Sequence, residues 1–200
     1  MKKFTLLLSS IFIIFAVVGA IAQVPEIGVG LGASYPDAPG KVGFDSAVKF
    51  DYKLNKLFAV GIESGFGWVN WEQKLISGYI GTPPIPTYKV TNTNLYSVPV
   101  LAGVTLNIPF GDSPVSIFVS GKAGYSWTFY SGEESSTYRG FTWQALAGLA
   151  YAFDEEYNRM KLFGEIGYRG TSVKSKGEEI EMSAPFARIG VAFPLGYSDD

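Results

Sequence analysis

Residues 141–153 read Phe-Thr-Trp-Gln-Ala-Leu-Ala-Gly-Leu-Ala-Tyr-Ala-Phe and alternate between two kinds of side chain. Successive side chains of a β-strand point to opposite faces, so one face is apolar with aromatic rings at both ends and the other is small or polar. Amphipathic rings settle at the two water interfaces of a bilayer. From Trp143 to Phe153, about 3.3 Å per residue and a tilt near 40–45° give roughly 25 Å, the height of a membrane's apolar band. The stretch therefore predicts a membrane-spanning β-strand.

The start of the chain predicts export. Two lysines follow the initiator methionine, residues 4–18 form an apolar run, and Ala20-Ile21-Ala22 has the small-x-small pattern of a signal-peptidase site. A membrane anchor needs about 20 apolar residues, and Ser9-Ser10 interrupts a run already shorter than that. We therefore predict that residues 1–22 are a cleaved signal peptide and that residues 23–200 form one domain.

Composition narrows the class of protein. The net charge is -2 with both signs mixed, which does not favour a nucleic-acid partner. No stretch after Gln23 is long and apolar enough for a transmembrane helix. A membrane protein without apolar helices must satisfy its backbone hydrogen bonds between strands. The prediction is an all-β fold, a closed up-and-down antiparallel transmembrane β-barrel.

The period of two continues along the chain and predicts about eight strands. Their outward positions are apolar, and their inward positions hold glycines and polar residues. The predicted strands are 27–35, 42–54, 58–70, 90–108, 115–130, 141–153, 160–170 and 185–195. Short turns alternate with longer connections, although the first loop, 36–41, is brief. Because bacterial barrels keep short turns on the periplasmic side, both termini are predicted to be periplasmic.

Aromatic residues at the strand ends are predicted to mark the two membrane interfaces. On this prediction the outer interface includes Trp68, Tyr96, Trp127, Trp143 and Tyr168, and the inner interface includes Tyr151, Phe153 and Phe193.

Eight charged residues fall on inward positions: Asp45, Lys49, Asp51, Glu63, Lys122, Glu165, Arg169 and Arg188. Charges removed from water must be paired, so we predict an ionic and hydrogen-bonded network in the lumen, with Glu63, Lys122, Glu165 and Arg188 near mid-height. An ion path is the alternative. Packing is favoured because an eight-stranded barrel has room inside for little more than side chains.

The segment from Ala187 to Phe193 looks like the closing strand that outer-membrane proteins present to the barrel-insertion machinery. Residues 26–195 resemble the small outer-membrane β-barrels of Gram-negative bacteria, the OmpA-like membrane domain and the OmpX-like group. The resemblance implies an outer-membrane location, contact with outer-membrane lipid and lipopolysaccharide, and a monomer. In that family the closing strand usually ends the chain, whereas residues 194–200 follow here. The insertion signal is therefore either internal or supplied by Tyr197.

The chain contains no histidine and no cysteine, which removes zinc sites and the Ser-His-Asp and Cys-His pairs. Barrel enzymes of similar architecture rely on histidine. We predict no catalytic, metal or cofactor site, and a role in envelope integrity, adhesion or surface contact. Loops 71–88 and 171–184 are the candidate contacts for a surface partner. The alternatives are a narrow channel for ions or small solutes and a periplasmic, lipocalin-like ligand carrier.

Overall fold

The chain forms one antiparallel β-sheet that closes on itself in the computed structural model. The structure describes residues 25–37, 39–81, 83, 85–111, 113–131, 136–153, 160–175 and 178–195. The predicted signal peptide and Tyr197 lie outside these residues. The strands are β1 (Glu26–Ser34), β2 (Gly43–Lys53), β3 (Phe58–Ile80), β4 (Ile85–Pro109), β5 (Val115–Ser131), β6 (Ser136–Ala152), β7 (Lys161–Ser175), β8 (Glu178–Glu181) and β9 (Ala184–Pro194).

Eight of these strands make a closed ring. Neighbours in sequence from β1 to β7 pair with each other, and β9 pairs with both β7 and β1. The short β8 pairs with the far end of β7. Every pairing is antiparallel, so the predicted closed, up-and-down, eight-stranded barrel is confirmed. The end with Glu26 and Pro194 is called the terminal end, and the end with the β3–β4 hairpin is called the hairpin end.

The apolar face of the sheet lies outside the barrel and the polar face lies inside. On β6, Trp143 and Leu149 are 44% and 56% exposed, whereas Gln144 is 1% exposed. The same inversion holds on β7, where Ile166 is exposed and Glu165 is buried. Alternation follows from the pleat, and closure of the sheet makes one of its faces a lumen. Among the described residues, no helix is long and apolar enough to cross a membrane.

The prediction that residues 71–88 and 171–184 are loops was wrong. β3 continues to Ile80 and β4 begins at Ile85, so most of the predicted loop 71–88 is a two-stranded ribbon. β7 continues to Ser175 and pairs with β8, so much of loop 171–184 is also strand. β6 likewise begins at Ser136, before the predicted position. These extensions pair through their backbones, and beyond the membrane the outward face of a strand need not be apolar, so they lack the alternation that locates a membrane strand.

Short connections join strands at both ends of the barrel, and two of those at the terminal end show how the chain turns. In the β2–β3 turn, the Oδ1 atom of Asn55 accepts hydrogen bonds from the backbone N–H groups of Leu57 and Phe58, both at 2.8 Å. The β4–β5 turn contains Gly111 with a φ of 55°, a value that glycine adopts without a Cβ penalty. These turns hold neighbouring strands in register and so fix which side chains face each other across the lumen.

Candidate functional site

Seven of the eight predicted lumen residues contact one another in the middle of the barrel. They come from five strands: Asp45 and Lys49 from β2, Glu63 from β3, Lys122 from β5, Glu165 and Arg169 from β7, and Arg188 from β9. β1 contributes inward glycines instead. Each of the seven side chains is more than nine-tenths buried, and together with Gln144 they form what we call the lumen network.

Arg188 is the centre of the lumen network. Its Nη1 atom lies 2.8 Å from Oε1 of Glu63, and its Nε atom lies 2.7 Å from Oε1 of Glu165. Lys122 contacts the other oxygen of Glu63 at 2.8 Å, and Lys49 contacts Glu165. Each of these buried carboxylates therefore contacts two cations on different strands.

A second set of contacts lies toward the hairpin end. Arg169 donates to Asp45 at 2.8 Å and to Oε1 of Gln144 at 3.1 Å. Gln144 in turn donates to both oxygens of Glu63 at 3.2 Å, and Asp45 lies 3.5 Å from Arg188. The contacts close a ring, so no member shifts without affecting the others. Gln144 was absent from the predicted set because its side chain carries no charge.

Aromatic rings cover the cations of the lumen network. The Phe186 ring lies 4.5 Å from the Arg188 guanidinium and 5.2 Å from that of Arg169. The Lys49 ammonium lies 4.5 Å from the centre of the Phe163 ring. These cation–π contacts stabilise charge that has lost its water. Neither ring was predicted from the sequence, although inward glycines such as Gly30 and Gly190, which leave space for the Phe163 ring, were a usable signal.

Asp51 does not join the lumen network. It lies nearer the terminal end, and its Oδ1 atom has no hydrogen-bond partner among the described residues. It lines a cavity of about 70 Å³ together with Glu26, Lys49, Lys122 and polar side chains of β4 and β5. At roughly 10–15 Å³ for each water position, this cavity has room for a few water molecules that would solvate Asp51.

The network separates that cavity from a smaller one. A cavity of about 30 Å³ lies toward the hairpin end and is lined by Asp45, Arg169 and threonine and serine side chains. Above it, an apolar cluster of Val69, Leu95, Tyr138, Val173 and Met182 joins the strands of three hairpins. A second apolar cluster is formed by Phe118, Leu146, Phe163, Phe186 and Ala192. Across the described residues, the lumen is therefore occupied by the ionic network and two apolar clusters.

The predicted interface aromatics lie on the outer surface. Trp143 and Tyr168 pack together with ring centres 6.0 Å apart, and Trp68 is opposite Tyr96 in the β3–β4 register. At the terminal end, Tyr151 and Phe153 pack at 5.0 Å. The remaining two, Trp127 and Phe193, are also exposed on the outward face. The aromatic side chains thus form two groups with aliphatic residues between them.

The chemistry available to the lumen network is charge pairing. Glu63 and Glu165 each contact two cations. Among the described residues, no group of three acidic side chains could hold a metal ion. The arrangement is that of a packed ionic core.

A closed barrel whose exterior is apolar between two groups of aromatic residues, and whose buried charges lie inside, is a transmembrane β-barrel. The outer membrane protein beta-barrel domain family model matches residues 4–193. The chain belongs to this family and is an outer-membrane protein, as its resemblance to the small outer-membrane barrels predicted.

Several solved structures are similar to this chain. Neisserial surface protein A is 15% identical, with a TM-score of 0.57 over 87% of this chain and 99% of that one. The attachment invasion locus protein of Yersinia pestis, in complex with the heparin analogue sucrose octasulfate, is 15% identical, with a TM-score of 0.46 over 85% and 95%. The N-terminal barrel domain of Pseudomonas aeruginosa OprF is 16% identical, with a TM-score of 0.45 over 86% and 98%. No curated protein matches the chain.

Proposed function

We propose that this protein makes surface contacts and has no catalytic activity, with its hairpin end outside the cell and both termini in the periplasm. The observation that carries the proposal is the length of the β3–β4 ribbon. Pairing of β3 with β2 ends at Trp68, yet β3 continues to Ile80. Twelve more residues at about 3.3 Å each make roughly 40 Å of additional strand.

The ribbon offers backbone groups to a partner. Pairing between β4 and β5 begins only at Asn94, so beyond this point the described strands leave both outer edges of the ribbon without a neighbouring strand. Edge N–H and C=O groups can pair with an extended segment of another protein. The tip adds apolar surface, since Ile85 is 66% exposed. Contact through added strands and apolar side chains is therefore the mode that the ribbon supports.

The base of the ribbon is held firmly. Val69 and Leu95 pack into the apolar cluster, and Trp71 packs edge-on against Tyr130 with ring centres 6.5 Å apart. Lys41 of the β1–β2 turn lies 3.2 Å from Glu72 on the ribbon. A preorganised base lowers the entropy lost on binding.

The lumen supports neither alternative function. A ligand carrier needs a large apolar cavity, whereas the two cavities described in the lumen measure only about 70 Å³ and 30 Å³. A channel needs a continuous path, and the lumen network separates the two small cavities. Surface contact remains the function that the geometry favours.

Shortening the ribbon tests the proposal. In the variant, residues 73–91 are replaced by Asn-Gly, a two-residue turn that joins Glu72 to its cross-strand partner Asn92. We expect a folded barrel in the outer membrane, shown by a heat-dependent gel shift, and attachment to epithelial monolayers as low as that of cells lacking the protein. Unchanged attachment at equal surface amounts would contradict the ribbon as the contact element.

Orientation has a separate test. Because the chain has no cysteine, Pro83→Cys introduces a single thiol at the ribbon tip. A membrane-impermeant maleimide should label this thiol on intact cells, while Ser113→Cys in the β4–β5 turn should be labelled only after the outer membrane is opened. The reverse pattern would place the hairpin end in the periplasm.

A further inference from the structure

The wall of the barrel has a gap at the hairpin end, above the short connection between β1 and β2. β1 ends at Ser34 and β2 begins at Gly43, so pairing of β2 with β3 stops at Trp68. The strands on both sides reach further. β3 continues to Ile80, and β8 continues the line of β9 because both pair with the same edge of β7. We call the region between residues 73–80 of β3 and β8 the two-strand gap.

The two-strand gap has the width of a β-ribbon. Around the ring, only β1 and β2 lie between β9 and β3. Three spacings of about 4.8 Å therefore put the edges of β8 and β3 roughly 14 Å apart, which leaves positions for two further strands. At the base of the gap, Lys41 lies 3.2 Å from Glu72, so the gap opens from Gln73 outward.

Both sides of the gap offer backbone hydrogen-bonding groups. β8 pairs with β7, and residues 73–80 of β3 pair with β4. Neither has a second neighbour among the described strands, so each presents one edge of N–H and C=O groups to the gap. A two-stranded occupant would pair with both edges and complete the wall of the barrel.

We propose that the two-strand gap binds the β3–β4 ribbon of a second copy of this chain on a facing cell. The ribbon is two strands wide, and its own outer edges have no neighbouring strand in the described part of the chain. It therefore matches the gap in width and in hydrogen-bonding capacity. The inference rests on the proposed function for the ribbon's position outside the cell, and it names self-pairing as a further contact.

Strand direction favours a copy that faces this one. β3 runs from the terminal end toward the hairpin end, and β8, which is antiparallel to β7, runs the opposite way. In a facing copy both directions are reversed, so its β3 is antiparallel to β3 here and its β4 is antiparallel to β8. A copy in the same membrane would pair β3 with β3 in parallel, which is less stable per residue. A two-fold axis between the two β3 strands then makes each ribbon enter the other copy's gap.

The sequence of the ribbon suits this pairing. Residues 75–88 contain no charged residue, so identical β3 strands meet over this stretch without like charges opposite each other. β8 reads Glu-Glu-Ile-Glu, whereas Lys89 is the charged residue of β4 between Ile85 and Asn94, so β8 and the facing β4 have opposite charge. Eight residues of each β3 supply about eight backbone hydrogen bonds, a number typical of a specific interface.

Disulfide trapping between cells tests the inference on the full-length protein. A two-fold axis places one residue of β3 opposite its own counterpart, and for an overlap of residues 73–80 this residue lies within 75–78. Because the chain has no cysteine, Leu75→Cys, Ile76→Cys, Ser77→Cys and Gly78→Cys each introduce a single thiol. Two cell populations carry the same variant with different epitope tags and are mixed under mild oxidation. We expect clumping of the mixed cells and, at one or two positions, a disulfide-linked dimer that contains both tags.

Filling the gap from within the chain supplies the matched control. Replacing residues 38–40 by a strand–Asn-Gly–strand hairpin extends β1 and β2 into the gap and leaves the ribbon intact. This variant should lose the two-tag dimer and the clumping, whereas a flexible Gly-Ser insertion of equal length should retain both. A heat-dependent gel shift reports that each variant has folded.

The outcomes separate this inference from the proposed function. Absence of two-tag dimers at all four positions would overturn self-pairing, as would dimers that form only when both tags are expressed in one cell. Retention of the dimer after the hairpin replacement would overturn the gap as its site. Attachment to epithelial monolayers and maleimide labelling of Pro83→Cys are read independently, so failure of the ribbon's other contacts or of its orientation is recognised by those assays.

Discussion

Glu63 has more partners than any other carboxylate described in the lumen. Its two carboxylate oxygens accept hydrogen bonds from the side chains of Arg188, Lys122 and Gln144, which lie on three different strands. The lumen network contains three carboxylates, Asp45, Glu63 and Glu165, against four cations. Since cations already outnumber carboxylates, a lost acid has no substitute within the network. Loss of Glu63 should therefore disturb the network more than loss of one member of a typical ion pair.

Glu63→Gln is expected to destabilise the barrel strongly. The amide keeps the shape of the side chain but removes the negative charge that balances the positive charges of Arg188 and Lys122. Breaking a buried ion pair costs about 3–5 kcal/mol. Urea unfolding of the protein in lipid vesicles measures the loss. Glu72→Gln, which removes an exposed pair with Lys41, is the matched control and should cost less than about 1 kcal/mol.

The same variant also distinguishes a packed core from an ion channel as the role of the lumen network. If the lumen network is a packed core, Glu63→Gln lowers the free energy of unfolding and leaves the conductance of planar bilayers at the wild-type level. A rise in conductance with little loss of stability would contradict the packing interpretation and favour the narrow channel.

Strands inside the membrane were predictable from the sequence, and their extensions were not. The residues around Trp143 and Leu149 alternate because the face in contact with lipid must be apolar. The position of the strand and the identity of its outward residues can therefore be read from the sequence. Beyond Trp68 the inward Val69 and Leu95 are buried in the apolar cluster, but the outward Asn70 and Asn94 are polar, so no apolar outward face marks the strand there. The length of the ribbon is set by backbone pairing between β3 and β4, and the residues of a single strand do not predict that pairing.

Gly103 on β4 illustrates close approach between neighbouring strands. A Cβ atom at this position would lie 2.1 Å from the backbone oxygen of Gly121, whereas a Cβ at Gly121 would meet nothing within 4 Å. We expect Gly103→Ala to lower the free energy of unfolding by about 1–3 kcal/mol, because the backbone must move to relieve the contact.

Gly121→Ala is the matched control for that prediction. The new methyl group meets no other atom, and the loss of conformational freedom in the unfolded chain should stabilise the barrel by about 0.4–1 kcal/mol. Effects of opposite sign in the same unfolding assay would support the β4–β5 register. Equal tolerance of both changes would contradict it.

At the scale of the whole barrel, closure decides which charges meet. Lys49 on β2 pairs with Glu165 on β7, 116 residues further along the chain. The sequence predicts that both point inward, but their pairing depends on strand stagger around the ring. For the same reason, Asp51 lies on the correct face and yet outside the network. Inward position was predictable from local pattern, and partner choice required the closed structure.

Ile166→Arg tests the inverted arrangement of the whole molecule. Ile166 is 68% exposed and lies opposite Ala147 on β6. Ala147 is midway along its strand between the aromatic residues Phe141 and Phe153, so Ile166 lies at mid-height of the apolar band. At the middle of a bilayer an arginine on the lipid face costs about 2–4 kcal/mol, whereas Thr137→Arg near the rim should cost less than about 1 kcal/mol. The free energy of folding into phospholipid vesicles measures both changes. In a water-soluble barrel, arginine at so exposed a position would shift stability by about 0.5 kcal/mol or less, so equal tolerance of the two variants would contradict a lipid-facing exterior.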